Sequence, residues 1–82
     1  MSPTIFTIGA YRFFFNRREE SRRHVHIQTP DGIAKFWIEP TIALADAHRL
    51  KPKLLRQLDE LVREHENEIR SAWDAHFAKS SY

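Results

Sequence analysis

His24-Val25-His26-Ile27-Gln28-Thr29-Pro30-Asp31-Gly32-Ile33-Ala34-Lys35-Phe36-Trp37-Ile38-Glu39 reads as two strands joined by a turn, and the register between them decides which side chains form the core. Strand side chains alternate between faces, so a slip of one residue would exchange the buried and exposed sets. Pro30-Asp31-Gly32 suits a type I turn followed by a bulged glycine, which pairs Thr29 with Ile33 and sets Val25 opposite Trp37 and Ile27 opposite Lys35. A four-residue loop pairs Gln28 with Ile33 instead. It sets Val25 opposite Phe36 and Ile27 opposite Ala34, giving one clean apolar face. Burial favours this second register. His24, His26, Lys35, Trp37 and Glu39 then share the other face, and Pro40, which has no N–H to donate, ends the strand.

Upstream, Thr4-Ile5-Phe6-Thr7-Ile8 and Tyr11-Arg12-Phe13-Phe14-Phe15 flank Gly9-Ala10 and read as a first hairpin. Glycine in the first central position suits a type II′ turn, pairing Ile8 with Tyr11, Phe6 with Phe13 and Thr4 with Phe15. Ile5, Thr7, Arg12 and Phe14 fall on the opposite face. Residues 16–23 form a charged connection. Downstream, residues 40–51 read as a further connection, and Pro52 sits at the first turn of a helix. Leu54, Leu55, Leu58, Leu61, Val62, Ile69, Trp73 and Phe77 lie on one broad stripe, with His65, Ala72 and His76 at its boundary. Asn67 is a candidate break, but the stripe runs through it and predicts one helix over 52–78. Asp59–Arg63 and Glu66–Arg70 are pairs one turn apart on its wet side.

The expected fold is α+β: a four-stranded antiparallel meander over residues 3–39, with one face covered by a long C-terminal helix. Phe6, Ile8, Phe13, Phe15, Val25, Ile27, Phe36 and Ile38 should pack beneath the helix. The other face keeps Ile5, Phe14 and Trp37 among Arg12, His24, His26 and Lys35. An apolar patch with a basic rim on an open face implies that something else covers it.

The chain has 82 residues, enough for one domain near the lower limit of a single core. It contains no cysteine, which excludes disulfides, thiolate metal sites and cysteine nucleophiles. A small core without staples and with an aromatic patch favours a homodimer or a complex. No apolar run approaches the ~18 residues of a membrane span, and the expected compartment is the cytoplasm. Net charge is +2, yet Arg12, Arg17, Arg18, Arg22 and Arg23 crowd together against Glu19 and Glu20. Such a cluster is either a solvated loop or a seat for an anionic partner.

Pro3-Thr4-Ile5-Phe6, Tyr11-Arg12-Phe13-Phe14-Phe15, His24-Val25-His26-Ile27, Ala34-Lys35-Phe36-Trp37-Ile38-Glu39-Pro40 and Val62-Arg63-Glu64-His65 with Ala72-Trp73 together resemble a bacterial family of small proteins labelled domain of unknown function 4160. The likeness covers nearly the whole chain. It implies no established reaction; it implies a setting in compact two-gene modules of the toxin–antitoxin kind, with a cognate protein as partner. Where relatives tend to carry prolines before His-x-His, this chain has Arg22 and Arg23, so the basic patch is its own.

His24 and His26 project from one strand face within reach of one ligand. A metal would need a third donor such as Glu39, His48 or a residue of another chain, the spacing nominates none, and neither metal nor cofactor is expected. A metal-independent ribonuclease could use the two imidazoles as base and acid, with Lys35 or an arginine stabilising charge on the phosphate. The structural alternative has each imidazole donate to a carbonyl while packing on Trp37 or Phe14. A binding face of Arg12, Phe14, Arg22, Arg23, His24, His26, Lys35 and Trp37 could stack bases and hold phosphates of RNA, or anchor a protein partner. The reading to be tested is an interaction module of a toxin–antitoxin-like pair, binding a cognate protein or RNA through this face. An RNA-cleaving toxin using His24 and His26 is the alternative.

Overall fold

In the computed structural model, which describes residues 4–15 and 22–78, Thr4–Ile8 (β1) and Tyr11–Phe14 (β2) form the first hairpin. Pro3 and the expected basic connection at Arg17, Arg18, Glu19 and Glu20 lie outside the described residues. Gly9 has a φ of 57°, as the first central position of a type II′ turn requires. Ile8 pairs with Tyr11 and Phe6 with Phe13 as expected, but the register then shifts and Thr4 pairs with Phe14 rather than Phe15. The bulge at Ile5 corrects two expectations together. It turns Ile5 toward the core, where it packs against the buried cluster. It also brings Thr4 to the face of Arg12, whose Nε donates to Thr4 Oγ1 at 2.7 Å.

His24–Gln28 (β3) and Ile33–Trp37 (β4) adopt the four-residue-loop register, with Val25 opposite Phe36, Ile27 opposite Ala34 and Gln28 opposite Ile33. Thr29 explains why this loop wins over the glycine bulge. Its backbone N–H donates to the Gly32 carbonyl at 2.8 Å, and its Oγ1 accepts the N–H groups of Asp31 at 3.1 Å and Gly32 at 3.0 Å. The hydroxyl thus closes the turn from inside. β4 stops at Trp37 rather than at Glu39, although the Ile38 N–H still reaches the Arg23 carbonyl at 2.9 Å.

The sheet has five strands, not four, in the order β1-β2-β3-β4-β5. The fifth, Ala43–His48 (β5), occupies the stretch expected as a connection and pairs antiparallel with β4. Its alanines carry weak strand propensity, so pairing to a buried neighbour overrides local preference. A second bulge lies here. Lys35 faces Asp46, while the next residue, Phe36, faces Leu44, leaving Ala45 as the extra residue.

The helical stripe forms two helices instead of one, Pro52–Glu64 (α1) and Glu66–Ala78 (α2). The break falls at His65, two residues before Asn67. His65 has φ −110° and ψ 20°, and its Nδ1 donates to the Leu61 carbonyl at 2.9 Å beside its own backbone N–H at 3.1 Å. Leu58 and Val62 of α1 and Ile69 and Trp73 of α2 all enter one core with Phe13, Phe15, Val25, Ile27, Phe36 and Ile38. Each such burial contributes about 1.5–3 kcal/mol before entropy is counted. The surface pairs Arg63–Asp59 and Arg70–Glu66 form at 2.7 and 2.8 Å. Each arginine also reaches back to the sheet side, Arg63 to the Ile42 carbonyl and Arg70 to the Ile38 carbonyl, both at 3.2 Å.

Gly32 lies where the end of β5 crosses the β3–β4 turn, and a Cβ there would run into the carbonyl oxygen of His48. Gly32→Ala is therefore expected to cost about 2 kcal/mol, as overpacking against backbone does. Urea unfolding reads this directly, and an unchanged midpoint would mean that β5 moves aside without penalty.

Candidate functional site

On the sheet face opposite the helices, β3 and β4 set His24 beside Trp37 and His26 beside Lys35. Trp37 is the centre of this face. The Arg22 guanidinium carbon lies 4.1 Å from its ring centroid and Lys35 Nζ lies 4.4 Å away, so two permanent cations share one indole. Arg22 is steadied by its Nε, which donates to the Glu39 carbonyl at 2.6 Å. Phe14 carries a parallel arrangement, with Arg12 4.5 Å from its centroid and His26 stacked at 5.3 Å.

The two histidines differ sharply. His24 is only 1 % exposed, although alternation places it on the open face. The rings of His26, Trp37 and Trp73 close around it at 5.2, 5.5 and 5.2 Å. Trp73 belongs to α2, so the second helix covers this corner of the sheet. The Arg22 carbonyl can only accept, so the 2.7 Å contact makes His24 Nδ1 the donor. His26 is half-buried, and its pKa is lowered to about 4, by burial first and then by the charges of His24 and Lys35. At neutral pH it is an uncharged, weakly basic ring and cannot act as an acid.

Arg22 and Arg23 point different ways. Arg23 joins three elements: its Nη1 donates to Glu39 Oε1 at 2.7 Å and its Nη2 to Asp74 of α2. Both carboxylates raise the pKa of its guanidinium. Arg23 thus ties α2 to the ends of β3 and β4, and Arg22 alone of the pair serves the open face. Phe14, expected as an exposed aromatic, is 6 % exposed.

At the far end of the face, β5 brings in Asp46 and His48. They line a depression of about 250 Å³ with His26, Ile33, Ala34 and Lys35. Asp46 lies opposite Lys35 in the register and 3.3 Å from His48 Nε2. Sequence reasoning missed Asp46 because the strand that carries it was not recognised. Glu39 is engaged by Arg23, and among the described residues no group of three His, Asp or Glu side chains could hold a metal ion.

A five-stranded antiparallel meander, covered on one face by two consecutive helices and bearing cation-capped aromatics on the other, defines the class as a small α+β domain with an aromatic, basic sheet face. The chain belongs to the family described as Domain of unknown function (DUF4160), whose model matches residues 10–74. That span runs from the first turn to Asp74, the partner of Arg23. No curated protein and no solved structure matches the chain. Among the described residues no helix is long and apolar enough to cross a membrane.

His26 makes stability depend on pH. The unfolded ring takes up its proton near 6.5 and the folded ring near 4, so the unfolded chain binds more protons between those values. Stability should fall as pH drops through that window, with the loss complete below it. After allowance for partial exposure the contribution is roughly 1–2 kcal/mol. Urea midpoints of wild type and His26→Gln, compared from pH 7 to pH 4, should converge on acidification. Parallel curves would show that the ring is not held neutral by the fold.

Proposed function

We propose that this chain is a small cytoplasmic interaction module of a bacterial toxin–antitoxin-like gene pair, docking an acidic segment of its cognate protein on the helix-free sheet face. The observation that carries the proposal is Trp37 with Arg22 and Lys35 over its ring, at 4.1 and 4.4 Å. Tryptophan and arginine are favoured anchors in interfaces, and a carboxylate approaching the two cations would gain charge-assisted hydrogen bonds beside an apolar surface. The two-gene setting follows from the resemblance to the family, and the acidic partner from the charge of the face.

RNA is the second reading, supported by the same cations as phosphate contacts. Base stacking has less support, because Trp37 already engages two cations and Phe14 is almost wholly buried. Cleavage of RNA by His24 and His26 has less still. A ring as buried as His24 does not meet a substrate without local opening, and His26 has no proton to donate at neutral pH.

The test is calorimetric titration of the purified chain with the product of its neighbouring gene, and separately with single-stranded RNA. Trp37→Ala combined with Arg22→Ala is expected to weaken the protein complex at least about thirtyfold while circular dichroism is unchanged. Equal affinity in the variant would remove the face from consideration. Binding to RNA alone, weakening steeply with salt, would replace the protein reading with the nucleic-acid one.

A further inference from the structure

β5 is the outermost strand of the sheet among the described residues, and along it the Ala47 N–H is taken by Asp46 Oδ1 at 2.9 Å. Ala43-Leu44-Ala45-Asp46-Ala47-His48 carries no lysine or proline, and Asp46 is its one acidic residue. Leu44 is 45 % exposed, the one large apolar side chain so exposed among the described residues. It stands in an open groove of about 420 Å³ between β5 and α1, lined also by Phe36, Leu55, Arg56, Asp59 and Glu60.

The bulge gives this edge an unusual symmetry. Residues directly opposite across a ladder share a face, so Leu44 and Ala47, opposite Phe36 and Ala34, lie on the helix side. Ala43, Asp46 and His48, opposite Trp37, Lys35 and Ile33, lie on the other. In a regular strand residues 44 and 47 would point to opposite faces; the extra residue Ala45 puts them on the same one. An antiparallel two-fold pairing centred between Ala45 and Asp46 then matches like faces on either side of that central pair. Leu44 meets Ala47 of the second copy, and Ala43 meets His48.

The helices beside the seam carry complementary charge. Arg56 and Glu60 of α1 line the groove beside Leu44, so a second copy set against this edge would meet one residue of each sign. Asp59 is already bonded to Arg63, whereas Arg56 and Glu60 have no ion-pair partner among the described residues. An isologous interface needs such self-complementary pairs, each made twice. We infer that β5 and the adjoining groove of α1 form a dimer interface with a second copy of this chain, extending the sheet across the two-fold axis. The pairing uses the far edge of the sheet and does not depend on the function proposed for the Trp37 face.

Sedimentation equilibrium of the full chain at high micromolar concentration should give twice the 9.8 kDa protomer mass. Leu44→Glu is expected to raise the dimer dissociation constant at least about thirtyfold, with circular dichroism unchanged. Arg56→Glu and Glu60→Arg should each weaken the dimer, and the two changes together in one chain should restore it. That charge exchange keeps the inference testable if Leu44→Glu fails to fold. A protomer mass at every concentration would overturn the interface. So would a dimer that is indifferent to these changes but lost on Trp37→Ala.

Discussion

The indole of Trp73 is the contact on which the arrangement rests. It meets Phe15 edge-on at 5.2 Å on the core side, and at the same distance it meets His24 at the sheet's corner. A helix that only covered one face would leave His24 in water. Because α2 continues past that corner, the ring is buried and must find an acceptor within the protein. The Arg22 carbonyl supplies it. Fixing Arg22's backbone places its guanidinium over Trp37, while Arg23, the next residue, points back to Asp74 and holds α2 where Trp73 needs it. Helix position, the histidine's hydrogen bond and the charged surface are thus consequences of one packing event.

The strongly alternating stretches were legible in the sequence. Val25, Ile27, Phe36 and Ala34 admit one register that buries them together, and Phe6 with Phe13 fixes the first hairpin from the turn outward. β5 was not legible because alanine and leucine at those positions carry no period-two signal. Its strand state comes from the free edge of β4, a feature of the assembled sheet. The helix break was hidden for a different reason: the apolar stripe continues through His65, whose backbone alone leaves helical geometry, with φ −110° and ψ 20°. In the candidate site, alternation placed Arg12, His26, Lys35 and Trp37 together. It could not foresee that a distant helix would close over His24, or that the Arg22–Arg23 pair would divide between surface and scaffold.

The cations set over the aromatic rings of the open face are guanidinium and ammonium groups. His26 is held uncharged by its surroundings, so the field above Trp37 belongs to the guanidinium and ammonium groups at its ring. The imidazole contributes a flat, apolar body stacked on Phe14. His24 in turn meets the rings of Trp37 and Trp73, so both histidines pack against aromatic neighbours.

Arg63 and Arg70 each hold a carboxylate one turn back and a carbonyl from the irregular segment after β4. Those two carbonyls, of Ile38 and Ile42, bracket the bend through Pro40 that carries the chain from β4 to β5. The helices thus grip the bend through forked side chains, which span two acceptors in a way that a single ammonium does not. Lysine at either position would preserve the sequence's charge and loosen its geometry. Composition marks these residues as interchangeable surface; the bend makes them specifically arginine, so drift from arginine to lysine, ordinarily among the mildest of changes, is costly at these two places.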